Sequence, residues 1–227
     1  MNSRRVSKKI FITGTDTAVG KTVATLVLGI LLKDRGLDVG VMKPIQCGGD
    51  DANFLRRSLG MKDHLKDINP CFAPEPLSPH LAFPRARRKI NFDWIFRTYY
   101  RLEEEHDVML VEGAGGLMVP LKKNYFVVDL IKDLNSDVVI VSRLGLGTIN
   151  HTLLTIEQAR NRGIKILGVL FNESKNNKPG IPEMTNPEAI KKFGRVPILG
   201  KIPYLKDFSS KKILQKCRSQ IRIDTLV

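Results

Sequence analysis

The chain has few of the residues that staple, anchor or metallate small proteins. Its three cysteines, Cys47, Cys71 and Cys217, are odd in number and show no Cys-x-x-Cys spacing, which excludes a disulfide framework and a thiolate zinc site. Four histidines, His64, His80, His106 and His151, are scattered without metal-ligand spacing. No apolar run approaches the ~20 residues of a membrane-spanning helix. The start, MNSRRVSKK, is basic and leads straight into an apolar strand, with no signal core and no small-residue cleavage site. A cytoplasmic protein without a membrane partner is expected. Acidic residues are also scarce, 23 Asp and Glu against 37 Lys and Arg, for a net charge of +14. The excess gathers at Arg4, Arg5, Lys8 and Lys9, in Arg85 to Lys89, and from Lys206 to Arg222. None of these clusters is interleaved with stacking aromatics or carried on a nucleic-acid module, so they read as solvated basic surface and no nucleic-acid partner is expected. A polyanionic small substrate would suit the same charge.

What is present is an alternation of strand and helix signals along all 227 residues. That pattern specifies an α/β fold with a mostly parallel sheet and helices on both faces. Strands are expected at Lys9 to Thr13, Val39 to Lys43, Val108 to Val111, Val138 to Val141, Ile166 to Phe171 and Ile198 to Leu199. Helices should start near Lys21, Asp51, Phe92, Val127, Thr148 and Asn186. The segment Asn69 to Pro84 carries five prolines and is expected to be irregular and to wrap the surface near a site. A polar loop is expected from Glu173 to Glu183. A single P-loop domain over 1–227, with a basic tail from about 206, accounts for the whole pattern.

The strongest motif is GTDTAVGKT, Gly14 to Thr22, lying between the first strand and a helix whose apolar residues Val23, Leu26, Val27, Ile30 and Leu31 recur at helical spacing. In such a loop the backbone N–H groups cradle phosphate oxygens and the helix N-terminus adds partial positive charge. Lys21 would neutralise the outer phosphates and the Thr22 hydroxyl would ligate Mg²⁺. The strict pattern would put its first glycine at Thr15; here it is Gly14, so the loop is a variant.

Ligands of open α/β sheets sit beyond the carboxyl ends of the strands, and several strand ends here are chemically loaded. The second strand exits into Lys43 and PIQCGGDD, offering a second cation near the γ-phosphate. The third exits into Glu112 and GAGGLMVPL, a carboxylate suited to Mg²⁺ followed by glycines that let backbone approach a ligand. Asp50 and Asp51 offer a further carboxylate at a helix start, and the residues alone leave the choice between them open. GLGTINH, Gly145 to His151, supplies another helix N-terminus suited to a carboxylate or phosphate.

These segments resemble one family. GTDTAVGKT, MKPIQCGG, NPCFAPEPLSPH, VEGAGGLMVPL, GLGTINHTLLT, GVLFNES and GKIPYL occur in the order found in dethiobiotin synthetases, from Lys9 to about Leu205. The resemblance implies a homodimeric ATP-dependent ligase that closes the ureido ring of dethiobiotin from 7,8-diaminononanoate, CO₂ or bicarbonate, and ATP with Mg²⁺. It implies Lys43, Lys21 and Thr17 as catalytic, with Thr17 and Lys43 also beside the substrate, and Thr22, Asp51 and Glu112 as Mg²⁺ ligands, Asp51 contacting the ATP as well. It places Ala18, Val19, Gly20, Lys21, Thr22 and Val23 with Glu112, Gly113, Ala114 and Gly115 on the phosphates, and Asn172, Pro203, Tyr204 and Leu205 at the base. Cys47 falls at a substrate contact, and Thr148, Ile149 and Asn150 at a helix end that receives the substrate carboxylate across the dimer. Departures are Ala18 where some members carry glutamate, and Cys47 where a serine is common; a thiol is the weaker donor. The tail after Leu205 has no clear counterpart of the family's last adenine contact. The alternative, a partitioning-type P-loop ATPase acting on DNA or membrane, would carry a lysine early in the loop, where Thr15, Asp16 and Thr17 stand instead.

Overall fold

The computed structural model describes residues 7–176 and 178–227; Arg4 and Arg5 of the first basic cluster lie outside them. In chain order the elements are β1 Lys8–Gly14, α1 Lys21–Asp34, β2 Val39–Met42, β3 Ile45–Cys47, α2 Asp51–Ser58, α3 Leu65–Ile68, β4 Cys71–Ala73 and α4 Pro79–Arg85. They continue with α5 Phe92–Glu105, β5 Val108–Gly116, β6 Pro120–Lys122, β7 Tyr125–Phe126, α6 Val127–Asp133 and β8 Asp137–Ser142. The last are α7 Thr148–Asn161, β9 Ile166–Asn172, α8 Ile181–Gly194, β10 Ile198–Ile202 and α9 Ser210–Cys217.

Six strands form one sheet in the order β10-β9-β8-β1-β5-β2, every neighbouring pair parallel. Parallel strands need crossovers, and helices fill both faces. Side-chain alternation divides the core accordingly. In β1, Ile10 and Ile12 enter one apolar cluster and Phe11 the other; in β5, Val108 and Leu110 part from Met109 and Val111 in the same way. The first cluster is closed by α1, α2 and α9, the second by α4, α5, α6, α7 and α8.

Four expectations need correction. The proline-rich stretch 69–84 contains β4 and α4. Pro79 opens α4, where its missing N–H has no helical partner to lose, and Pro84 falls in the last turn. The helix expected near Asn186 begins at Ile181, with Pro182 in its first turn and the Gly180 N–H donating to the Glu183 carboxylate at 2.9 Å. β5 runs past the expected end at Val111, through the glycines to Gly116, so Gly113 to Gly116 extend the strand. The basic side chains of the tail are exposed, as expected, but the segment that carries them is built into the fold. It forms α9, and Ile213, Cys217, Ile221, Ile223 and Leu226 all belong to the first core cluster. An isolated antiparallel bridge, Gly200 to Ile221, ties it to β10.

Candidate active site

The carboxyl ends of β1, β2 and β5 open into a cavity of about 580 Å³. Of the residues expected there, Thr17, Ala18, Gly20, Lys21, Thr22, Val23, Lys43, Cys47, Asp51, Glu112, Gly113, Ala114 and Gly115 line it. The P-loop holds an unusual backbone. Ala18 has φ 57° and Gly20 φ 94°. A Cβ on Gly20 would lie 2.0 Å from Asn172 Nδ2, so both conformation and space require glycine. Asn172 in turn donates from Nδ2 to the Val19 carbonyl at 3.1 Å, binding the end of β9 to the loop.

The charged residues form one buried network. Lys43 Nζ lies 2.5 Å from Glu112 Oε1 and 2.8 Å from Asp51 Oδ2. Thr22 Oγ1 donates to the same Glu112 Oε1 at 2.8 Å. Glu112 is 1 % exposed, and its other oxygen, Oε2, has no hydrogen-bond partner among the described residues. The two aspartates point differently. Asp50 takes Asn53 and Arg57 as partners, whereas Asp51 faces the cleft through Lys43.

Burial would lower the Lys43 pKa, but Glu112 and Asp51 outweigh it and hold the ammonium above the ordinary lysine value. Lys21 goes the other way. Desolvation brings it down to about 8, Glu112 offsetting part of the fall and Lys43 adding to it. Cys47 is half-buried, and desolvation pushes its thiol up to about 11, so it is protonated at neutral pH.

The remaining expected residues lie elsewhere: Val19, expected at the phosphates, is buried in the first core cluster and does not line the cavity. Asn172 lines a separate cavity of about 340 Å³ with Arg143, Glu173 and Lys175. Leu205 is buried in the first core cluster, and Pro203 and Tyr204 are half-buried beside it, the Tyr204 carbonyl accepting from Lys216 Nζ at 3.3 Å. Thr148 is fully buried, its hydroxyl donating to the Arg143 carbonyl at 2.6 Å. Ile149 packs partly against the second core cluster and Asn150 is exposed. None of these last residues reaches the large cavity within a single chain.

Sequence reasoning missed Gln46. Its amide nitrogen donates to the carbonyls of Gly48 and Gly49 and its oxygen accepts from Ala52 N–H, which fixes the loop that presents Asp51. Its place inside PIQCGG was the available signal. Pro76 to Pro79 also line the cavity, so the proline-rich segment does border a site.

A family model described as an AAA domain matches residues 8–212. The ATP-dependent dethiobiotin synthetase BioD of Methanococcus vannielii is 41% identical over 202 residues, covering 88% of this chain and 95% of that protein. The enzyme of the same name from Thermodesulfovibrio yellowstonii is 41% identical over 233 residues, covering 96% and 97%. The chain belongs to the dethiobiotin synthetase family. A third member, from Bacillus subtilis strain 168, is 37% identical across 96% of both chains. Among solved structures, the MinC:MinD cell division complex of Aquifex aeolicus matches with a TM-score of 0.55 at 20% identity, covering 90% of this chain and 86% of that one. A ParA family ATPase from Chlorobium tepidum matches with a TM-score of 0.52 at 15% identity, covering 97% and 94%. At such identities these likenesses establish a shared P-loop fold and leave the chemistry to the family relatives.

Proposed function

We propose that the protein is an ATP-dependent dethiobiotin synthetase, a carbon–nitrogen ligase that joins 7,8-diaminononanoate and CO₂, from bicarbonate, at the expense of ATP. One observation carries the reading: Lys21, Lys43, Thr22, Asp51 and Glu112 converge on one cavity beside the P-loop. In the reaction one substrate amine attacks CO₂ to form a carbamate. A carbamate oxygen then takes the γ-phosphoryl group, and ADP leaves. The second amine attacks the carbonyl carbon, phosphate departs, and the ring closes with loss of the amine protons.

Negative charge builds on the phosphoryl oxygens and on the departing phosphate. Lys43, held protonated between two carboxylates, supplies a fixed cation where that charge develops, and Lys21 a second. Preorganised charge of this kind acts without reorganisation in a water-poor cleft. Ala114 and Gly115 bring backbone to the cavity, and Pro76 to Pro79 form part of its wall.

The donor set fits Mg²⁺. Hydroxyl and carboxylate oxygens suit that hard cation, and the unpartnered buried Glu112 Oε2 is a ligand awaiting a charge. Thr22, Asp51 and Glu112 would hold it. When bound, Mg²⁺ neutralises and orients the triphosphate.

A homodimer belongs to the same reading. Leu146 is 91 % exposed, and Leu154, Ile181, Met184 and Phe193, on α7 and α8, are more than half exposed. Apolar surface of this extent is suited to a second copy, and pairing there would commit the α7 N-terminus, with Ile149 and Asn150, to an interface, as the family resemblance implies. Among the described residues no helix is long and apolar enough to cross a membrane, which is compatible with a cytoplasmic ligase. Purified protein with Mg²⁺-ATP, bicarbonate and the diamine should yield dethiobiotin, detected by mass; absence of product under these conditions sinks the assignment.

A further inference from the structure

We infer that Arg143 is a positioning residue for the phosphate loop. It acts through Asp16, an exposed residue of the loop whose negative charge beside the phosphate cradle would otherwise oppose a triphosphate. The inference rests on the nucleotide reading of the cleft.

Asp16 sits between Gly14 and Gly20, in the loop itself. Its Oδ1 accepts the Thr17 N–H at 2.7 Å, and its main-chain carbonyl accepts from Lys21 Nζ at 3.1 Å. Residue 16 thus orients a wall residue of the cavity and the phosphate-facing lysine together. Its remaining carboxylate oxygen, Oδ2, meets Arg143 Nη2 at 2.8 Å. That contact offsets the charge and fixes the carboxylate's rotation.

Arg143 is itself anchored from beneath. Thr148 Oγ1 donates to its carbonyl at 2.6 Å, Ser142 Oγ lies 3.3 Å from the same carbonyl, and Ser142 Oγ is 2.7 Å from Thr148 Oγ1 and 2.8 Å from Thr152 Oγ1. All three hydroxyl side chains are fully buried. A cluster of hydroxyls therefore ties the first turns of α7 to the end of β8 and to the Arg143 main chain, while the Arg143 guanidinium reaches the P-loop through Asp16. The Thr15 N–H, bonded to the Val141 carbonyl at 3.0 Å, holds the loop to the same strand. The pair is half-exposed on both sides, where ion pairs add little to stability, so its loss should register in ligand affinity rather than in folding.

The test is binding of a fluorescent ATP analogue with Mg²⁺ to the full chain. Arg143→Gln should weaken binding about tenfold, the effect of one uncompensated charge near the surface, with the unfolding midpoint unchanged. Arg143→Lys should restore most of it. Asp16→Asn keeps the oxygen that Thr17 N–H reaches and removes the charge, so it should bind at least as tightly as wild type and should rescue Arg143→Gln in the double variant. In steady state the defect should appear as a raised KM for ATP with kcat changed far less. Wild-type affinity in Arg143→Gln, weakened binding in Asp16→Asn, or a double variant as weak as the product of the singles would each overturn the inference. A wild type that makes no dethiobiotin yet ranks these variants as stated would overturn only the proposed reaction; one that binds no nucleotide would overturn both.

Discussion

Replacing Lys43 by methionine keeps the length of the stem and deletes the ammonium that holds Glu112 and Asp51 together. Glu112, 1 % exposed, would keep the Thr22 hydroxyl on one oxygen and nothing on the other. Removing one partner of a buried pair costs about 3–5 kcal/mol, because the survivor is an uncompensated charge. The Asp51 side chain is 41 % exposed, so its share is screened and adds little, leaving an expected loss of about 3 kcal/mol. With a urea m-value near 3 kcal/mol/M, that is a fall of about 1 M in the unfolding midpoint. The assay is urea unfolding followed by circular dichroism at pH 7, without nucleotide or metal. Lys43→Met/Glu112→Gln, which removes the orphaned charge as well, should regain at least half of the loss. The raised Lys43 pKa sets the pH window: the pair's stabilisation is fully present below the ordinary lysine value and fades only as pH climbs past the higher folded one. An unchanged midpoint in Lys43→Met, or a double variant weaker than the single, would refute the argument. Turnover should also fall by about 10²–10³, the typical cost of one preorganised group facing developing charge, and full activity would remove Lys43 from the chemistry.

Lys21 yields a prediction of opposite sign. With its folded pKa at about 8 and the unfolded one at the ordinary 10.5, the unfolded chain binds more protons between those values, so Lys21 makes the ligand-free protein more stable as pH rises through that window. Nucleotide affinity should decline above pH 8, where binding must first restore the proton; a flat titration of a fluorescent ATP analogue from pH 7 to 9.5 would contradict this. Ile213→Ala, at a fully buried α9 position, should cost about 2–5 kcal/mol by chemical denaturation, whereas a solvated tail would lose nothing. Leu154→Asp should convert a dimer into a folded monomer in sedimentation, and an unchanged mass distribution would place the interface elsewhere.

The sheet was legible because its strands are short apolar runs punctuated by glycine and charge. The expected spans fall inside β1, β5, β8, β9 and β10, and the one over Val39 to Lys43 overran β2 by a residue. Helix starts were readable where a glycine or aspartate precedes an amphipathic stretch. The start near Asn186 was misplaced because Pro182 and Pro187 look like breakers, although a proline in the first turn loses no helical bond. The tail was obscured by its charge: Lys211, Lys212 and Lys216 mask the sparse apolar positions Ile213 and Cys217, whose burial depends on α1 lying opposite. Within the site, Lys21, Thr22, Lys43 and Glu112 were marked by strand ends and loop glycines. The choice of Asp51 over Asp50 was not, since the two sit side by side at the start of the same helix and only the direction of the side chain distinguishes them. Arg143 and Asp16 carry no pattern that links them in sequence; only the adjacency of β8 and β1 does.

That adjacency governs how the protein reaches its folded state. β1, first along the chain, occupies the middle of the sheet, and its neighbours come from far downstream, Lys8 pairing with Val108 and Ile10 with Asp137. Closing such loops costs entropy before any contact repays it, which slows folding. The phosphate cradle is thus flanked by two strands, β5 and β8, that lie far downstream of it in the chain. A chain interrupted before β8 would hold the whole motif from Gly14 to Thr22 and still lack a place to bind a phosphate.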